Sequence, residues 1–120
     1  MRIALPIPPS VNAMFVNSPN RTGKGRFPST EYKAWKGAVY KRLTELWNTA
    51  RPLDKPYAVC IRININRQSD IDNRVKAILD ALVATGVLVG DQWVDDCRII
   101  RDVSVEACEV EIWSLKDGDE

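Results

Sequence analysis

Residues 57–82, YAVCIRININRQSDIDNRVKAILDAL, change hydrophobic period partway along, and that change sets the fold class. In YAVCIRININ the side chains alternate, with Val59, Ile61, Ile63 and Ile65 on one side and Cys60, Arg62 and Asn64 on the other, which predicts a strand. From residue 71 the period lengthens. Ile71, Val75, Ile78, Leu79, Leu82 and Val83 follow i, i+4, i+7, i+8, i+11 and i+12, the spacing of one helical face. Asp72, Lys76 and Asp80 form a second stripe beside it. Gly86 is placed to end the helix in a left-handed cap, after which residues 87–89, VLV, read as a short extended piece before Gly90 and Asp91.

Upstream, RIALPI at 2–7 reads as a short strand halted by Pro8 and Pro9. Residues 10–29 are rich in Asn, Ser, Pro and Gly and predict a long mobile loop, with Arg21, Lys24 and Arg26 lying between Phe15 and Phe27. Cations interleaved with aromatics suit a loop that grips phosphates and stacks on bases; a loop whose charges only keep it soluble fits the same residues. Residues 30–50 predict a helix with Ser29 or Thr30 as N-cap and a core stripe of Tyr32, Trp35, Val39, Leu43 and Leu46. Its Lys33, Lys36, Lys41 and Arg42 make either a solvated face or the wall of a DNA groove.

Downstream, RIIRDVSV and CEVEIWSL are two β-like runs close enough to read as a hairpin around Glu106 and Ala107. Trp93 and Trp113 are expected in core or interface positions, core packing first. The expectation is one α+β domain over residues 1–120, a mixed sheet of about four strands with two principal helices.

Composition narrows the chemistry. A chain of 120 residues, 45% hydrophobic, fits a single domain with a modest core. No run approaches a membrane span, and MRIALPIPPS does not read as a secretory signal, so a cytosolic protein is expected. Three cysteines without a CxxC pair argue against a disulfide framework or zinc finger. With no histidine, the Ser/His/Asp and Cys/His nucleophilic arrangements are excluded, which leaves carboxylates, lysine or a metal. Charge is also sorted along the chain: +6 over residues 1–50, +2 over 51–90 and −7 over 91–120. A basic first half suggests a surface for a polyanion.

Asp70 at a strand end, Asp72 in the first helical turn and Asp91 past the helix converge if the chain folds back there. Mg²⁺ takes one or two carboxylates completed by water and substrate phosphate, and Lys76, one turn after Asp72, adds a cation beside the same place. Such a set fits phosphodiester hydrolysis, in which metal ions activate water and a cation offsets charge on the phosphorus. A plainer reading has Asp70 or Asp72 capping the helix and Asp72 paired with Lys76.

PIPPSVN near the N-terminus, DIDNRVKAILDAL in the middle and GDQWV after the helix resemble, in order and spacing, the RusA family of Holliday junction resolvases, small endonucleases common in prophages. The likeness spans nearly the whole chain, and DxDNxxKxxxDAL is its most specific part. It implies a homodimer that binds four-way junctions in DNA recombination and repair. With Mg²⁺, or Mn²⁺ in its place, the dimer nicks two strands of like polarity; no nucleotide cofactor is implied. Asp70, Asp72 and Asp91 match the family's metal-binding acids, Lys76 its essential lysine and Asn73 a recurrent motif residue, while Asp80 matches too but lies two turns down the helix.

Arg67, Asn73 and Arg74 join Arg21, Lys24 and Arg26 as candidate DNA contacts. Family members can carry an arginine run before the first aspartate and a second aspartate before the last; here stand NRQS and Gly90. A bacterial or phage-encoded, nucleoid-associated protein is the expected setting. Two other functions fit the residues: a nuclease for flaps, forks or other branched DNA, and a non-catalytic DNA-binding or assembly module.

Overall fold

A computed structural model describes residues 1–17, 26–48 and 53–116. Strand β1 (Arg2–Leu5) buries Ile3 and Leu5 on one face and stops before the prolines at 6, 8 and 9. Residues 10–29 are not structureless where described. Helix α1 (Val11–Met14) runs into strand β2 (Phe15–Asn17), which pairs antiparallel with β3 (Arg26–Pro28). The turn-forming composition is real, but Met14, fully buried, anchors the segment to the core.

Helix α2 (Thr30–Trp47) starts where predicted and ends three residues earlier than predicted. Ser29 is its N-cap: the Oγ accepts from the Tyr32 amide at 3.0 Å and donates to the Ala13 carbonyl at 2.6 Å, tying α2 to α1. Tyr32, Trp35, Val39 and Leu43 are buried, with Leu46 partly so. Each apolar side chain so removed from water contributes about 1.5–3 kcal/mol.

Strand β4 (Tyr57–Ile63) is the centre of a four-stranded sheet ordered β1, β6, β4, β5, in which β5 is Val94–Arg101 and β6 is Cys108–Ser114. It ends at Ile63, so six further residues of turn precede Asp70. The hairpin expected around Glu106 and Ala107 does not form. β5 pairs parallel with β4, while β6 pairs antiparallel with β4 on one side and β1 on the other. The physical reason is burial: residues 57–61 and 63 of β4 are all buried, so this strand gains most from neighbours on both edges. Ala58 and Cys60 lie on the face opposite Val59 and Ile61, flanked in register by Trp113 and Glu111 on β6 and by Asp96 and Arg98 on β5. Small residues between long neighbours are covered without a second helical layer.

The parallel pairing requires a crossover, which is supplied by a 3₁₀ turn (Asp72–Arg74), helix α3 (Val75–Ala84) and a second 3₁₀ turn (Asp91–Trp93). α3 buries Ala77, Ile78, Ala81 and Leu82; Val75, Leu79 and Val83, from the predicted stripe, pack partly buried beside them. Gly86 has φ +85°, the left-handed cap expected of it. Residues 87–89 form no strand; Val87 and Leu88 are buried instead.

One core joins α2, α3, β1, β4 and β6. Trp93 and Trp113 are outside it, 38% and 37% exposed, contrary to the expected core packing. Trp93 carries Lys55 Nζ 4.1 Å over its ring, and Trp113 lies on the sheet face away from Val110 and Ile112. Among the described residues no helix is long and apolar enough to cross a membrane.

Candidate active site

The turn between β4 and α3 carries the first two acids. Its shape comes from Asn66, whose Oδ1 accepts from the Gln68 amide at 3.0 Å and the Ser69 hydroxyl at 3.4 Å, while the Ser69 amide donates to the Asn66 carbonyl at 3.2 Å. Arg101, the last residue of β5, reaches across and donates to the carbonyls of Ile65 (3.2 Å), Asn66 and Ser69 (3.0 Å). Asn64 fastens the turn's start through its amide to Ala107 O (2.9 Å) and its side chain to Val105 O (3.0 Å).

Neither aspartate caps a helix. The N-cap positions are Ile71 and Arg74, and neither makes a side-chain capping bond. Asp70 is exposed and its Oδ2 accepts from Asn73 Nδ2 at 3.4 Å, so Asn73 orients a carboxylate. Asp72 is exposed, and among the described residues no hydrogen bond or ion pair engages its carboxylate. The expected Asp72–Lys76 pair is absent because Lys76 Nζ turns the other way along the helix, to Asp80 Oδ2 at 3.3 Å. Asp80 in turn faces α2: burial, and after it Asp80, push the Tyr40 phenol up.

Asp91 lies elsewhere. β4 and β5 are parallel, with Tyr57 opposite Val94 and Ile63 opposite Arg101, so the turn that opens on Asp91 sits at the Tyr57 end of the sheet. Asp70 and Asp72 sit at the Arg101 end. The ten residues of α3 separate the two ends by about 15 Å at 1.5 Å per residue. The fold-back expected from the sequence does occur, but the helix carries Asp91 away from the other two acids. Among the described residues no three acidic or cysteine side chains form a group ready to hold a metal.

The other predicted contacts divide. Arg67 is exposed at a cleft of about 580 Å³ beside the Asp70 turn. Arg74 is committed to the fold: its Nη1 donates to Pro8 O at 2.6 Å, fastening the N-terminal PIPPS segment to the Asp72 turn, and its Nε is buried. Arg26 opens β3, whereas Arg21 and Lys24 lie outside the described residues. A groove of about 870 Å³ is lined by none of Asp70, Asp72 and Asp91 and balances Arg2, Arg42 and Arg62 against Asp102, Glu106 and Glu109. No thiol is poised as a nucleophile: burial, with Glu109 after it, pushes Cys108 up to about 12, and burial followed by Asp96 and Cys60 raises Cys97.

Sequence reasoning missed Arg101 and the structural use of Arg74. No local signal marks either, because each acts on carbonyls more than thirty residues away.

In sequence, residues 6–113 match the family described as Endodeoxyribonuclease RusA. The chain is also 31% identical over 110 residues to the crossover junction endodeoxyribonuclease rusA of Enterobacteria phage HK97, a match covering 87% of this chain and 84% of the phage protein.

Proposed function

The chain belongs to the RusA family of endodeoxyribonucleases, and from that premise we propose that it is a Mg²⁺-dependent, structure-selective nuclease. Its substrate is the four-way DNA junction of recombination and repair, resolved by paired symmetric nicks. The observation that carries this reading is that Asp70 and Asp72 stand exposed on one braced turn and neither caps a helix nor joins an ion pair among the described residues. Carboxylates without a structural duty are free to bind a cation.

The donor chemistry fits Mg²⁺, which takes one or two carboxylates and leaves its other positions to water and phosphate. Asp70 and Asp72 hold it, with Mn²⁺ able to substitute, and Asn73 keeps the Asp70 carboxylate turned toward the site. When bound, the cation supplies Lewis acidity at the scissile phosphate and lowers the pKa of water. Lys76 exchanges Asp80 for the phosphate and offsets the charge that builds on its oxygens in the transition state. Arg67 contacts a neighbouring phosphate, as do Arg21, Lys24 and Arg26.

Asp91 enters from a second copy. A protomer carries it at the far end of α3, so a homodimer that sets one protomer's Asp91 turn beside its partner's Asp70 turn completes two sites at once. Two such sites match the two-fold symmetry of paired nicking.

The test is a synthetic four-way junction labelled on each strand in turn, incubated with Mg²⁺, with Mn²⁺ or with EDTA beside linear and forked duplexes. Symmetric Mg²⁺-dependent nicks in the junction alone are expected. Cutting of the fork as readily would make the enzyme a general branched-DNA nuclease, and binding without cutting in either metal would overturn the reading.

A further inference from the structure

We infer that Arg101 is a positioning residue for the metal-binding carboxylate: its guanidinium transmits the rigidity of the sheet to the turn that presents Asp70. The inference rests on the assignment of Asp70 to the metal site. Residues 64–71 belong to neither strand nor helix; Asn66, Arg67, Gln68 and Asp70 are exposed, and the segment's two apolar residues, Ile65 and Ile71, are only partly buried. Its internal bonds come from Asn66 alone. Arg101 is the distant side chain that reaches the segment just before Asp70, donating from Nη1 to Ile65 O and Asn66 O and from Nη2 to Ser69 O. Ser69 is the residue to which Asp70 is bonded, so the last of these contacts fixes the peptide that aims the carboxylate.

Arg101 is itself held in place. It pairs in register with Ile63, and the amide of Asp102 donates to Ile63 O at 3.0 Å, so its backbone is part of the β4–β5 ladder. Among the described residues it makes no ion pair; its donors are spent on carbonyls. A planar fork is needed for this task. The carbonyls of residues 65, 66 and 69 are spread along a turn, and two terminal nitrogens in fixed relation meet them, whereas a lysine offers three donors from a single point. Charge and geometry can therefore be separated by one substitution.

The experiment compares Arg101→Lys with wild type and with Asp70→Asn on the labelled junction in Mn²⁺. For Arg101→Lys the single-turnover cleavage rate is expected to fall about ten- to a hundred-fold, the loss that a displacement of about 1 Å at a reacting centre produces. The Mn²⁺ concentration for half-maximal cleavage is expected to rise several-fold. Junction affinity and its salt dependence are expected to stay within about two-fold of wild type, because the charge is kept. Amide exchange at residues 66–70 is expected to quicken while Tm holds.

Wild-type cleavage, metal requirement and exchange in Arg101→Lys, with Asp70→Asn inactive, overturn the role of Arg101 and leave the site intact. Full activity of Asp70→Asn overturns both. Weakened junction binding with a shallower salt dependence overturns the positioning role in favour of direct phosphate contact. Should Arg101→Lys lower Tm sharply, Arg101→Ala is assayed with and without millimolar methylguanidinium. Recovery of cleavage supports the clamp, and no recovery overturns it.

Discussion

At its N-terminal end α3 is entered through a turn tied to distant parts of the chain, by Arg101 on the carbonyls of residues 65, 66 and 69 and by Arg74 on the carbonyl of Pro8. At its C-terminal end the helix is closed locally. There Thr85 Oγ1 donates to Ala81 O at 2.8 Å, the Gly86 amide to Val83 O at 3.1 Å and the Leu88 amide to Leu82 O at 3.1 Å, with Val87 and Leu88 buried just beyond. Each end carries acids assigned to the same chemistry, yet one is held by long-range polar contacts and the other by a cap and apolar packing. The first arrangement gives an exposed loop a defined shape without a core beneath it. The second sets a cap with adjacent residues and leads straight into the core, where Val87 and Leu88 are buried and the Val89 amide donates to the Tyr57 hydroxyl at 3.4 Å.

Removing the acids that face no structural partner should separate the ends most sharply. Asp72→Asn is expected to lower single-turnover junction cleavage by about a hundred-fold or more. Junction affinity and Tm should be nearly unchanged, since among the described residues the carboxylate supports nothing else. A mutant that cuts at the wild-type rate would end its metal role.

If the two ends meet only between subunits, mixing Asp72→Asn with Asp91→Asn protein should restore cleavage. At equal amounts half the dimers are mixed and one of their two sites is whole, so about a quarter of all sites recover. No recovery after subunit exchange would place all three acids in one protomer, against the separation imposed by α3.

Gly86→Ala probes the locally closed end. The added Cβ would meet only Trp47 Nε1, at 3.9 Å, so the cost is the positive φ alone, about 1 kcal/mol of stability. Chemical denaturation measures it; a neutral result would show that the turn relaxes to another conformation.

The smallest effect belongs to Asp102, beside the clamp. The Ser104 hydroxyl and amide, and then Arg62, hold its carboxyl below the ordinary aspartate value of 3.8. A lowered folded-state pKa stabilises above that ordinary value, and the contribution is lost as pH falls through the lowered one. Asp102→Asn should therefore lower Tm slightly at pH 7 and by nothing once both forms are protonated. A difference that persisted in strong acid would have another origin.

The legible parts are those governed by neighbours in sequence. The stripe Tyr32, Trp35, Val39, Leu43, the Ser29 cap and the Gly86 cap were each readable because a helix face and its ends are set within a few residues. The acids themselves were readable as residue types at motif spacing. What Asp72 and Lys76 touch was not: Lys76 has an acid four residues away on either side, and it pairs with Asp80, which shares α3 with it, while Asp72 lies in the 3₁₀ turn before the helix.

Strand pairing was the largest misreading. Two adjacent β-like runs imply a hairpin if proximity decides, and here it does not, because β4 buries both faces and takes β5 and β6 as its two neighbours. From that choice follow the crossover, the parallel register that sets Ile63 beside Arg101, and the removal of Asp91 to the other end of the sheet. By itself the sequence determined the principal helices and sheet strands, the Ser29 and Gly86 caps and the family, since periodicity, turn chemistry and motif spacing are properties of adjacent residues. Only the tertiary structure decided which strands pair, where each acid stands and what Arg101 holds, since those depend on burial summed over segments far apart in the chain.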